Sequence, residues 1–177
     1  MMRSRRGAAL LFLTLALILI NSATAWAQKS EATAVRLTLK GVDGRTYDSA
    51  KMQGRVLVVS FGATWCKPCL AEIEALEELK REYKDRLVTI WWVSIENEAE
   101  KSDVLLREYA KDLNMTIPVL RDRERTAYQQ FSQRTRLPLV VFYRKDGTDD
   151  APIHVGMSTP EIYKARMRER IDPLLKR

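Results

Sequence analysis

Cysteine and histidine are nearly missing from this 177-residue chain: it has two of the first, Cys66 and Cys69, and one of the second, His154. A structural zinc site takes four ligands, so no Cys/His set of that kind can be assembled here. A disulfide-stapled fold is equally out of reach. Two cysteines three apart close a loop that constrains the unfolded chain by only about 2 kcal/mol. Long apolar runs are lacking too. The stretch Ala8 to Ile20, apolar apart from Thr14, falls short of the roughly 20 residues that span a bilayer as a helix. No repeats and no Gly/Ser- or Pro-rich linkers occur, so a second domain is not expected. Nor is charge of one sign concentrated. The net +7 is spread out, and Arg121 to Arg125 and Arg166 to Arg170 are interleaved with acids, which excludes a nucleic-acid face as the reading of either.

What is present begins with a targeting layout. Arg3, Arg5 and Arg6 precede the apolar core, and Ala25-Trp26-Ala27 offers a small-x-small cleavage site before Gln28. Residues 1–27 are expected to be a signal peptide, with an uncleaved anchor as the alternative, and membrane contact is expected only in that second case. Residues 28–34 read as a polar lead-in and residues 35–177 as the domain. No cysteine lies near the cleavage site, so lipid attachment through one is not expected. Removing residues 1–27 takes away three arginines and no acid, which lowers the charge by three to +4. Both cysteines are then exported, with a periplasmic location expected, where disulfides form and persist.

The organising stretch is Val56 to Tyr83. Val56 to Phe61 is apolar and rich in β-branched residues, a candidate buried strand. Gly62-Ala63-Thr64 breaks it, Trp65-Cys66-Lys67-Pro68-Cys69 follows, and then Leu70, Ile73, Leu76, Leu79 and Tyr83 recur at helical spacing. Around it, Val35 to Leu39 and Arg45 to Tyr47 flank a Gly41–Gly44 turn as a hairpin, and Leu87 to Ile95 is a second interior strand. Trp91 and Trp92 read as packing. Helices are expected around Lys101 to Leu113, with Val104, Leu105, Tyr109 and Leu113 inward, and over Arg125 to Gln133, with Ala127, Tyr128 and Phe131 inward. Ile117 to Leu120 is extended. Leu139 to Tyr143 and Ile153 to Val155 form a late hairpin, with His154 on the strand surface. The last helix starts at Ser158-Thr159-Pro160-Glu161, is carried by Ile162, Ala165, Met167, Arg170 and Ile171, and is ended or distorted by Pro173.

A cysteine pair where a strand hands over to a helix is a redox arrangement. Only the thiolate attacks a disulfide, and the partial positive charge of a helix start lowers a thiol pKa into a range of about 3.5 to 7.5. Cys66 would sit there, with Lys67 adding charge and Pro68 accommodated in the first turn. Cys69, one turn deeper, would be the resolving thiol and the disulfide partner of Cys66. Glu72 follows three residues later on the same face and could accept the Cys69 proton, its pKa raised by desolvation.

The stretch Val58 to Glu72 resembles the active-site segment of exported thioredoxin-like proteins of the TlpA/ResA type, and the likeness runs from Val35 to about Leu175. It includes Asp43-Gly44, Ser94-Ile95-Glu96, Ile117-Pro118-Val119-Leu120, Leu137-Pro138 and Asp146-Gly147. The resemblance implies an α/β thioredoxin-like fold, a central mixed sheet with helices on both faces and an N-terminal β-hairpin extension. It implies a catalytic set of Cys66, Cys69 and Glu72, a cis bond before Pro138, and a substrate-binding edge at Leu137 and Pro138, with Trp65 beside it. Three departures stand out. Gly62 replaces a usual Trp, Ile73 replaces a usual Pro, and Ser60 stands where cytosolic thioredoxins bury an aspartate.

The expected function is an exported thiol–disulfide oxidoreductase without cofactor or metal. It would reduce protein thiol/disulfide substrates, as in cytochrome c maturation or metal-site assembly, and be recharged by a membrane thiol electron donor. A monomer suffices. The alternatives are a protein-disulfide oxidant and a copper carrier holding Cu(I) on two thiolates, with Met115 and Met157 available.

Overall fold

Successive residues of a strand point to opposite faces, so an apolar run without alternation must be covered on both sides. Val56 to Gly62 meets that condition: all seven residues are buried. In the computed structural model, which describes residues 34–176, the elements run in the order β1 (Thr38–Gly41), β2 (Thr46–Asp48), a short 3-10 turn (Ser49–Met52), β3 (Val56–Gly62), α1 (Lys67–Glu82), β4 (Val88–Ser94), α2 (Asp103–Asp112), β5 (Val119–Arg121), α3 (Thr126–Gln129), β6 (Leu139–Tyr143), β7 (Asp149–Val155) and α4 (Pro160–Lys176). The expected signal peptide and most of the polar lead-in lie outside the described residues. Among the described residues no helix is long and apolar enough to cross a membrane.

The strands form one mixed sheet in the order β2-β1-β5-β4-β3-β6-β7. β4 runs parallel to β3, from Val56 opposite Val88 to Gly62 opposite Ser94, and β6 runs antiparallel on its other side, with Phe61 opposite Leu139. Val56, Val58, Ile90 and Trp92 face a layer built with Ile73, Leu76 and Leu79 of α1, Leu106 of α2, and Tyr163, Met167, Ile171 and Leu174 of α4. Leu57, Val59, Phe61, Trp91 and Val93 face the other layer, with Leu37, Leu39 and the α3 residues Ala127 and Tyr128. The expected mixed sheet, covered by helices on both faces and carrying a leading hairpin, is therefore what the chain forms. Trp91 and Trp92 are buried packing residues.

Some of the differences are of phase, and others are of extent: the helix expected over Arg125 to Gln133 spans only Thr126–Gln129, and the late strand begins at Asp149 rather than Ile153. Cys69 takes the core-facing place at the start of α1 and turns Leu70, about 100° further round, to the surface. In α2 the inward stripe is Leu106 with Tyr109, Ala110 and Leu113, and Val104 and Leu105 are exposed. In α4 the stripe is Tyr163, Met167, Ile171 and Leu174, and Ile162 is exposed. Pro173 does not end that helix, which runs on to Lys176; the last turn is held by buried Leu174 and by Lys145, whose Nζ donates to the Leu175 carbonyl at 2.9 Å. Strand pairing starts at Thr38 rather than Val35, because Leu37 bonds to Ser49, not to a strand neighbour.

Gly62 ends β3 in a place no side chain can share. A Cβ there would lie 2.8 Å from Cζ2 and Nε1 of the Trp92 indole, which is fully buried. A tryptophan at position 62 is therefore incompatible with Trp92 where it stands. Gly62→Ala is expected to lower stability by about 1–3 kcal/mol, as overpacking does. Chemical unfolding of both backgrounds checks this, because the cost should largely vanish when Trp92 is first changed to Phe.

Candidate active site

Three chain segments leave the same end of the sheet and converge: Ala63 to Cys66 after β3, Ile95-Glu96 after β4, and Leu137-Pro138 before β6. Cys66 is the N-cap of α1, and its sulfur accepts from the Cys69 amide at 3.2 Å. Lys67 and Pro68 occupy the exposed first turn. Cys66 and Cys69 are joined by a disulfide, their Cα atoms 5.2 Å apart. Cys66 is 6% exposed and Cys69 fully buried, so the outer and inner sulfurs fall in the expected order, although the outer one is largely covered. Trp65 beside it is 56% exposed.

The loop that carries Cys66 is held from β4. The buried carboxylate of Glu96 accepts from the Thr64 amide at 2.9 Å, from the Thr64 hydroxyl at 2.7 Å and from the Ser94 hydroxyl at 3.0 Å. The Ile95 amide donates to the Gly62 carbonyl at 3.1 Å. In the sequence the only signal for this role of Glu96 is its place just past the end of a buried strand. Glu77 does similar work further down α1, accepting from the Ile117 amide at 2.8 Å.

Glu72 is fully buried one turn behind Cys69. The Ser60 hydroxyl donates to its Oε2 at 2.8 Å and the Tyr163 hydroxyl to its Oε1 at 2.6 Å. Among the described residues no cation pairs with it. Burial pushes its pKa up to about 7, against the pull of the Tyr163 and Ser60 bonds, from 4.5 for a free glutamate. Ser60 thus stands under the glutamate instead of supplying a carboxylate of its own. Between about pH 4.5 and 7 the folded chain keeps a proton that the unfolded chain has lost. Stability present at the acid end is therefore lost as pH rises through 7, by about 3 kcal/mol in total. Denaturant unfolding of the oxidised protein across that range should show the loss, and Glu72→Gln should flatten it.

The Leu137–Pro138 peptide bond is cis, as the resemblance implies, and so is Ala151–Pro152. Pro138 is buried, and its carbonyl accepts from the Gly156 amide at 2.8 Å. Leu137 is half-buried against the layer that holds both cysteines, and among the described residues its N–H and C=O have no backbone partner. His154 is half-buried, with Nε2 3.0 Å from the Gly156 carbonyl. Met115 and Met157 pack against the opposite layer, away from the one that includes the cysteines. No cluster of three or more metal-ligating side chains occurs among the described residues. A groove of about 700 Å³ runs beside α1 toward the end of α2, lined by Lys67, Leu70, Glu74 and Leu113 but by neither cysteine.

Residues 31–151 match the AhpC/TSA family. The chain belongs to the AhpC/TSA family. It is 32% identical over 137 residues to the thioredoxin-like protein YneN of Bacillus subtilis, covering 76% of this chain and 74% of that one. It is 24% identical over 140 residues to the thiol–disulfide oxidoreductase ResA of Halalkalibacterium halodurans, covering 79% and 76%. Among solved structures, the exposed lipoprotein thioredoxin Etrx1 of Streptococcus pneumoniae superposes with a TM-score of 0.63 at 26% identity, covering 76% of this chain and 98% of that one. With a Cys-x-x-Cys disulfide at the head of α1, this AhpC/TSA member is a thiol–disulfide oxidoreductase of the thioredoxin-like type.

Proposed function

We propose that the protein is exported and reduces specific protein disulfides, with Cys66 as attacking thiol, Cys69 as resolving thiol and Glu72 as the base for Cys69. The observation that carries the assignment of Glu72 is a fully buried carboxylate one turn behind the inner sulfur, held by two hydroxyls and, among the described residues, by no cation. In the reduced enzyme the Cys66 thiolate attacks one sulfur of a substrate disulfide and expels the other as a thiolate. Glu72 takes the Cys69 proton, and the Cys69 thiolate attacks Cys66 Sγ. The second substrate thiol leaves, and two electrons have passed from the enzyme pair to the substrate. An extended substrate segment can pair with the unpartnered backbone of Leu137 beside Pro138, with exposed Trp65 as its apolar neighbour.

Export rests on the basic, apolar, small-residue layout of residues 1–27, and the recharging dithiol is then a membrane thiol donor. Equilibration against dithiol buffers of known potential tests the direction. A reductant is expected nearer to the roughly −270 mV of thioredoxin, and a value near about −120 mV, that of a strong oxidant, overturns the assignment.

A further inference from the structure

The α4 stripe contains one polar atom that packing does not need. Tyr163 is fully buried in line with Met167, Ile171 and Leu174, where a phenylalanine would fill the same space. A buried hydroxyl costs free energy unless it is bonded. Among the described residues this one has a single partner, Oε1 of Glu72, 91 positions earlier in the chain. We propose that Tyr163 is a positioning residue that fixes the Glu72 carboxylate for proton transfer with Cys69. The proposal rests on the reading of Glu72 as the base for Cys69.

Two features support it. A glutamate side chain has several free torsions, and one donor leaves it able to swing; here Ser60 from β3 and Tyr163 from α4 take one oxygen each. Both donors are also neutral hydroxyls. A lysine or arginine would lock the group as a carboxylate. A hydroxyl instead favours the charged form while it donates, and can turn to accept once Glu72 carries the proton. The site therefore tolerates both states that proton transfer must visit.

Among the described residues the ionisable groups around Glu72 are few. Cys69 lies on its own helix, and Tyr163 comes from α4. Behind Tyr163 stands His154 of β7, its ring edge-on with centroids 5.5 Å apart. Burial holds the His154 pKa below its ordinary value, against the pull of its hydrogen bond to the Gly156 carbonyl, and the nearby Arg166 and Arg170 act in the same direction as burial.

The test is an infrared titration of the Glu72 carboxyl in the oxidised protein, with Glu72→Gln identifying the band, run beside single-turnover resolution of a glutathione mixed disulfide over the same pH range. Tyr163→Phe is expected to move the carboxyl midpoint up by about one pH unit, a tenfold gain in proton affinity. It should slow resolution in the wild-type background and not in the Glu72→Gln background. An unmoved midpoint overturns the role of Tyr163. Should Glu72→Gln resolve as fast as wild type, the reading of Glu72 itself falls, and the role of Tyr163 with it, whatever the midpoint does. If Tyr163→Phe fails to fold, incorporating 3-fluorotyrosine, a stronger donor, must lower the midpoint; no movement overturns the proposal equally.

Discussion

Cys66→Ser is expected to abolish disulfide exchange, whereas Cys69→Ser keeps the first attack and stalls on the covalent complex. The asymmetry follows from where α1 begins. Cys66 is its N-cap, at the positive end of the helix dipole, and its sulfur already receives one of the first free amides. Cys69 is fully buried, beyond the reach of a protein substrate but within bonding distance of Cys66, as their disulfide demonstrates. Incubating each variant with oxidised protein substrates, then separating products without reductant, checks this. Adducts should accumulate on Cys69→Ser and be missing from Cys66→Ser. Those adducts also identify the substrate.

Glu72→Gln is expected to slow the resolving step by about 10²–10⁴-fold, the range over which a positioned general base acts. The amide keeps the shape of the carboxylate and still offers groups to Ser60 and Tyr163, so the fold should hold. The deficit should depend on pH in a definite way. Below about 7 the wild-type Glu72 already carries a proton and cannot accept another, so the two proteins converge. They converge again at high pH, where the Cys69 thiol ionises unaided. The greatest gap therefore lies just above neutrality, and rapid-mixing measurements of product release across that range check it.

Much of this was legible in the chain because two periodicities meet at one point. The unbroken apolar run of β3 gives way to the helical spacing of α1, and that junction alone placed the cysteines at a strand-to-helix handover, where the structure has them. Glu72 was legible as a neighbour on the helix, since spacing of three is a local property. Tyr163 was not, because its partner is 91 positions away and only the register of α4 brings them together. The available signal was the i, i+4, i+8 series Tyr163, Met167, Ile171, against which Ile162 and Ala165 compete for the inward face. Burial decided between them. The same kind of competition moved the inward residue of α2 from Leu105 to Leu106. The close approach of Gly62 to Trp92 was likewise invisible, because it depends on which neighbouring strand carries the indole.

The central claim is that the head of α1 makes Cys66 the acidic, outward thiol of the pair. The most direct measurement is the alkylation rate of each cysteine in the reduced protein as a function of pH, with modified peptides located by mass spectrometry. Cys66 is expected to react first, with a midpoint at or below about 7.5, and Cys69 to stay protected. A Cys66 midpoint near about 8.5, the value of a free cysteine, or faster labelling of Cys69, would contradict the account.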